Sequence, residues 1–468
     1  MEPELKSAVS HLAAWTRSRL SRPINFPRYL IALVVILVVA LDLRLTSVIH
    51  TEIIPPAVRA DARQYVLYGY NLKNFGVFSQ SDTLAESSLP PVPDAKRTPL
   101  YPLFLAPFLS KPITAENIVA ITMAQAIVST FTVLTVFLLC RIFLTVPFAL
   151  GAAALTALSP HLVTMNIYVL SETLFCFLLV MAIYVTTVAL TRANSALSFL
   201  GGAILAAAAL THPMATYFII PLSMYLLIIR SWKGKYRHIT MLVLGFCLIF
   251  GPWIARNLTT LGSAGDNSLM RMVLRTGAYT NLMYQGDRNS FPFPYHADPE
   301  LMKTTQDLSS VLSEIARSFR EAPATQLQWY LVGKPLLLYS WNMVEGQHID
   351  ERGDVFTYSV VTTPYNYLPH FRATHIFMYV IHWALVLSMV VAVIIVWLPI
   401  SRSGLSEKAA LGIRIISLLL GYHLAVMIVG VPVSRYSIPM RPFMYIMAMV
   451  PLAVGIRWFR AHAHRAKE

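Results

Sequence analysis

Apolar stretches of membrane-spanning length recur from residue 29 to residue 456, near 29–49, 116–140, 143–159, 167–190, 196–211, 213–229, 238–255, 373–399, 409–430 and 435–456. A helix needs about 20 apolar residues to cross the hydrocarbon core, and inside lipid every backbone N–H and C=O must find its partner within the segment. The pattern therefore predicts an all-α polytopic membrane protein of about ten transmembrane helices. Charged residues make up only 13% of the 468, against roughly 25% in soluble proteins, which excludes a water-soluble enzyme. Pro147, Pro160, Pro213 and Pro432 fall near predicted helix ends, where a missing backbone donor does least harm.

The 37 Lys and Arg against 23 Asp and Glu give a net charge of +14, but the excess sits in short segments flanking the apolar runs. Arg17, Arg19, Arg22 and Arg28, then Arg141, Arg192, the cluster Arg230, Lys233, Lys235 and Arg237, then Arg402 and Lys408, and last Arg457, Arg460, Arg465 and Lys467 fall on one side when ten spans are counted. By the positive-inside rule that side is cytoplasmic. The basicity is thus topological and no nucleic acid partner is expected. Residues 1–28 form a cytoplasmic N-terminal segment, 457–468 a cytoplasmic tail, and the first span an uncleaved anchor, since its apolar run is too long for a signal core. Cys140, Cys176 and Cys247 all lie in apolar runs without metal-ligand spacing, so neither a disulfide framework nor a zinc site is expected.

Two long polar segments come out on the opposite, outer face. The first outer loop, residues 50–115, belongs to a transmembrane core over 29–256 that carries the chemistry; 257–372 form a large outer loop, and 373–456 the C-terminal transmembrane helices. From 256 to 372 ten Lys or Arg stand against eleven Asp or Glu, so charge there says nothing about function. Residues 323–343, which alternate aromatic and apolar positions around Lys334 and end near Trp341, read as an interface-lying helix or a re-entrant segment. Residues 89–99, LPPVPDAKRTP, read as a stiff connector.

Four elements bring reactive side chains to the outer face. Asp61, Tyr65, Tyr68 and Leu72 share one face of a short amphipathic helix directly after the first span. A carboxylate there is close to any lipid-borne substrate, or simply favoured at a helix N-terminus. Lys96 and Arg97 stand at the foot of the segment containing Tyr101, an arrangement suited to an interfacial phosphate or to snorkelling cations. Glu172 opens a span inside its apolar boundary, where an acid is costly and therefore a functional candidate. Arg256, in Pro252-Trp253-x-x-Arg256-Asn257, is an outer cation against the charge bias, and Arg275 follows in a glycine-rich stretch. His161, His212, His296, His348 and His370 show no metal-ligand spacing, and Trp253, Trp341 and Trp458 read as interface anchors.

In this order the elements resemble the GT-C glycosyltransferases, in the bacterial branch related to protein O-mannosyltransferases and lipid A aminoarabinose transferases. The matching pieces are Asp61 with Tyr65, Arg97-x-Pro-x-Tyr101-Pro, Ser171-Glu172, Pro252-Trp253-x-x-Arg256-Asn257, and Arg435-Tyr436 with Pro439. The resemblance implies a GT-C-like fold with juxtamembrane helices in the first outer loop over a lateral cavity, entered from the bilayer by a polyprenyl-phosphate sugar donor. It implies Asp61 and Glu172 as catalytic acids, with a divalent metal ion held by them left open. Lys96, Arg97 and Arg256 would bind the donor phosphate, and Tyr65, Tyr101, Arg275 and Arg435 would position substrate. Glu172 stands where the aminoarabinose relatives have Asp, and His212 where Arg is expected. The resemblance also implies a bacterial inner (cytoplasmic) membrane with the active site facing the periplasm.

The expected reaction moves a sugar to an acceptor hydroxyl, on a lipid, polysaccharide or protein, by single displacement with inversion. With no outer domain expected after the last span, acceptor recognition falls to 257–372. A secondary transporter or flippase for an anionic or lipid-linked solute is the rival reading; the outer loop is longer than a simple carrier needs, and no paired Gly- or Pro-interrupted spans are visible between the two halves. A scaffold protein and a transferase using a diphosphate-linked donor are the further alternatives.

Overall fold

The structure, a computed structural model, describes residues 28–51, 53–54, 58, 60–84, 90–228, 234–342, 359–360, 364–399 and 405–465. Arg17, Arg19, Arg22, Arg230, Lys233, His348, Arg402 and Lys467, used above, lie outside the described residues. The helices that position the site are α1 (Arg28–Ile49), α2 (Ala60–Phe75), α3 (Leu100–Leu105), α4 (Ala115–Cys140), α5 (Val146–Leu158), α6 (Glu172–Thr191), α7 (Ser195–Thr211), α8 (Ile219–Ile228) and α9 (Lys235–Leu261). They continue with α10 (Ser268–Gly277), α11 (Leu308–Glu321), α12 (Lys334–Leu338), α13 (Pro369–Trp397), α14 (Glu407–Val429) and α15 (Arg441–Arg465). Strand pairing among the described residues is limited to Ile53–Ile54 against Ser359–Val360, antiparallel.

Helices α1, α4, α6, α9, α13 and α14, with the stretch Ser434–Ile456 that runs into α15, are seven segments long and apolar enough to cross a membrane. The chain is an integral membrane protein. Val146–Leu158, Ser195–Thr211 and Pro213–Ile228 are apolar but shorter, so among the described residues seven helices reach spanning length, against about ten expected from the sequence. These are the segments predicted at 143–159, 196–211 and 213–229, and the prolines fall at their ends as the sequence indicates. Ser159 before Pro160 and His212 before Pro213 both have extended backbone, the conformation a following pyrrolidine ring imposes, and each ends its helix there.

Lipid supplies no hydrophobic drive between helices, so close backbone approach and polar ties hold the bundle. A Cβ on Gly202 of α7 would lie 1.9 Å from the Leu242 carbonyl oxygen of α9, and one on Gly245 of α9 would lie 2.0 Å from that of Phe199. Only glycine permits that crossing. Arg44, fully buried on α1, donates from Nε to Ser129 Oγ on α4 (2.8 Å), and from its Nη atoms to the carbonyls of Thr156 and Ala157 (3.2 and 3.1 Å). Those carbonyls end α5 and have no partner within it, so the cation caps that helix while tying α1 to the core.

Links among the connecting segments place them at one end of the bundle. Arg97 meets Asp61, Arg435 meets both Asp61 and Glu172, His161 bonds the Trp341 carbonyl (2.8 Å), and the Tyr422 hydroxyl donates to the Met214 carbonyl (2.7 Å).

Candidate active site

Asp61 lies in the first turn of α2, with Gln64 and Tyr65 one turn on and therefore on the same face. Arg97, just before α3, donates from Nη2 to Asp61 Oδ1 (2.5 Å) and from Nε to Gln64 Oε1 (2.9 Å), and its guanidinium stacks 5.0 Å over the Tyr65 ring. On the other side of Asp61, Arg435 donates from Nη2 to Oδ2 (3.3 Å). The same guanidinium gives its Nε to Glu172 Oε1 (2.5 Å) at the start of α6. Four segments remote in sequence thus meet in one chain of alternating charge: Arg97, Asp61, Arg435, Glu172.

The members differ in access to solvent. Asp61 is 27% exposed at its side chain and Arg97 16%, whereas Arg435 and Glu172 are 6% and 1% exposed. Burial alone would raise the Asp61 carboxyl, but the fields and hydrogen bonds of Arg97 and Arg435 outweigh it and hold the group below the usual carboxylate range. Glu172 Oε2 has no hydrogen-bond partner among the described residues. A buried carboxylate oxygen left open is expensive, and an incoming hydroxyl or ammonium would satisfy it.

Aromatic residues line the cluster. Tyr65 meets Tyr101 edge-to-face at 4.9 Å, and its hydroxyl lies 3.3 Å from Ser171 Oγ. Tyr101 donates to Gln125 Oε1 (2.7 Å), and Gln125 in turn donates to the carbonyls of Asn166 and Tyr168 (2.9 Å each). Tyr101 is therefore fixed by a buried network. Tyr295, from the segment between α10 and α11, lies within the electrostatic reach of Asp61: its burial, then Tyr436 and Asp61, push its phenol up to about 12.

Arg256 and Arg275 are not part of the ion-pair chain. Arg256 donates to the backbone carbonyls of Asp94 (2.9 Å) and Phe78 (3.2 Å), with its guanidinium over the Trp253 ring at 5.3 Å, and so pins the first outer loop to the end of α9. The Asp94 carboxylate accepts from the Tyr68 hydroxyl and from Gln80 N (2.8 Å). Arg275 is held by Asp298 at 3.0 Å and by Glu314 at 3.8 Å within the outer segment. Lys96 is half-buried beside Arg97, and its backbone N–H bonds Asp94 Oδ1 (3.1 Å). Sequence reasoning did not find Gln64, Gln125, Asp94 or Tyr295; only Gln64, three residues after Asp61, carries a local signal.

The acids do not fit a divalent ion as arranged. Arg435 occupies the position between Asp61 and Glu172, and among the described residues no third His, Cys, Asp or Glu joins them in a metal-sized group.

The family described as dolichyl-phosphate-mannose-protein mannosyltransferase matches residues 96–255, a stretch that takes in Lys96, Arg97 and Glu172 but not Asp61 or Arg435. The archaeal oligosaccharyltransferase AglB from Archaeoglobus fulgidus, solved with an inhibitory peptide and a dolichol-phosphate, superposes with a TM-score of 0.51 at 14% identity, over 94% of this chain and 51% of that one. The fold is that of the GT-C superfamily. A second AglB structure, tethered to an acceptor peptide, matches with a TM-score of 0.51 at 14% identity, over 95% of this chain and 51% of that one. ArnT from Cupriavidus metallidurans bound to undecaprenyl phosphate matches at 0.43 and 13% identity, over 93% and 63%. The chain spans about half the length of the AglB chains it matches. No curated protein sequence matches it. In this fold the Asp61 cluster stands at the bundle end formed by α2, the segment before α3, the start of α6 and the link from α14 to α15.

Proposed function

We propose that this protein is a glycosyltransferase that moves a sugar, a hexose or pentose, from a polyprenyl-phosphate carrier to an acceptor hydroxyl at the periplasmic face of a bacterial inner membrane. The observation that carries the reading is Asp61 held between Arg97 and Arg435, outside the membrane spans and still open to solvent. The fold and the matched mannosyltransferase family support it.

The reaction needs a base at the acceptor hydroxyl and positive charge where the leaving phosphate gains negative charge. Asp61 takes the hydroxyl proton as the acceptor oxygen forms its bond to the anomeric carbon. The bond from that carbon to the phosphate oxygen breaks, and Arg97, with Lys96 beside it, receives the anion. Arg97 cannot serve both anions fully, so donor binding draws it from Asp61 and the carboxylate becomes more basic. Arg435 stays with Glu172 and holds Asp61 in place, while Tyr65 and Tyr101 shape the aromatic wall. Arg256 acts on the loop that carries Lys96 and Arg97, and the large segment 257–372 presents Tyr295 toward the acceptor.

Purified protein in liposomes, given a radiolabelled polyprenyl-phosphate sugar and a hydroxyl acceptor, should form labelled acceptor dependent on Asp61. Solute uptake without any transfer product would overturn the reading in favour of a carrier.

A further inference from the structure

Arg435 and Arg441 leave the same short segment, are 5% and 2% exposed, and are treated very differently by their surroundings. Arg435 has two carboxylates. Arg441 makes no ion pair among the described residues: its Nη2 donates to the Ser340 carbonyl (3.3 Å), while its Nε and Nη1 have no hydrogen-bond partner. Burying a guanidinium without an anion is among the costliest arrangements open to a side chain, and at the outer end of a span no bulk water offsets it.

The surroundings are polar and equally incomplete. Tyr339 and the Tyr445 hydroxyl stand beside Arg441, and His161 and His382 lie within its electrostatic reach, with His375 next to His161; no acid is among them. His161 Nε2 bonds the Trp341 carbonyl (2.8 Å) and His382 Nε2 the Tyr339 carbonyl (2.7 Å), while His161 Nδ1 and Ser340 Oγ have no partner. The Trp341 ring, 4.5 Å from His161, also gives its Nε1 to His375 Nε2 (3.1 Å). Trp341 and His375 in turn line a cavity of about 280 Å³ with Arg372, Ile376 and Tyr379. Ile376 and Tyr379 are exposed on the N-terminal part of α13, beside the exposed Phe377 and Val380.

We propose that this end of the bundle binds a second phosphate-class anion, as a lipid headgroup or as free phosphate, with Arg441 as its buried counter-charge and the Trp341–His375 cavity as its seat. The two open donors of Arg441 lie on different edges of the guanidinium, so one carbonyl cannot meet both, whereas a phosphate group offers several acceptor oxygens. The site stands apart from the Asp61 cluster and does not depend on the transfer reaction.

The test uses the full chain, delipidated in detergent, with three probes: phosphatidylglycerol, diacylglycerol of the same chain length, and inorganic phosphate. Native mass spectrometry should show phosphatidylglycerol retained about tenfold over diacylglycerol, the size of one charge-assisted hydrogen bond, and Arg441→Met should abolish the difference. Comparison with that variant separates this site from Arg97. If inorganic phosphate alone raises the Tm of the wild type and not of Arg441→Met, the anion is free phosphate. His375→Gln, at the cavity rim, repeats the test without touching the buried cation. Equal retention of both lipids with no phosphate effect on Tm, or the same responses in both variants, would overturn the proposal and leave the open donors to water.

Discussion

Arg435 and Glu172 form an ion pair of 2.5 Å in which the side chains are 6% and 1% exposed. They lie 263 residues apart, and the guanidinium that closes the pair also reaches Asp61. A pair this deep adds little net stability over an apolar substitute, but breaking it strands a charge. Its contribution is therefore to fix two acids against each other at the end of the bundle.

Removing one partner should show that cost. Arg435→Met leaves Glu172 buried and unpaired and is expected to destabilise the protein by about 3–5 kcal/mol, read as a lowered Tm in detergent. Arg435→Met with Glu172→Gln should recover much of the loss, because the stranded charge is gone; two single losses that simply add would argue against the coupling.

Asp61→Asn keeps shape and removes the base. Sugar transfer in liposomes should fall by about 100- to 10,000-fold with only a small drop in Tm at neutral pH, since Asp61 is the most exposed member of the ion-pair chain. Near-normal transfer at equal protein level would remove Asp61 from the mechanism.

The pH dependence follows from the arginines. Asp61 is held below the usual carboxylate range in the free protein, so the acid limb of kcat/KM should fall below about pH 4, the ordinary aspartate value. Once donor phosphate draws Arg97 away, the carboxyl rises, and the limb of kcat should lie at higher pH. The stability Asp61 contributes has the matching sign. A depressed native pKa gives stability present above the unfolded value and lost as pH falls through the folded one, so the wild type and Asp61→Asn should converge in Tm below about pH 4.

Arg97 and Arg256 should separate by kinetic signature. Arg97→Gln removes a cation from the leaving phosphate, and kcat should drop by roughly 100-fold, with Arg97→Lys restoring part of it. Arg256→Gln frees the Phe78 and Asp94 carbonyls from α9 and should speed proteolysis of the first outer loop, which Arg97→Gln should not.

Much of this protein could be read from its sequence. The repeated apolar runs require helices because lipid leaves no other way to satisfy the backbone, and Asp61, Arg97, Glu172 and Arg435 each stand out as a polar residue at an apolar boundary. The helix breaks at Pro160 and Pro213 were legible as well, whereas the membrane-crossing status of the three shorter apolar helices was not, because Val146–Leu158, Ser195–Thr211 and Pro213–Ile228 fall below full spanning length. The tertiary structure decided which cations serve which acids. Arg97 and Arg435 reach Asp61, while Arg256 is taken by carbonyls and Arg275 by Asp298 and Glu314. Sequence spacing could not reveal this, because ion pairs joining residues up to 374 positions apart depend on how the helices cross, and that is set by close contacts such as Gly202 against Leu242.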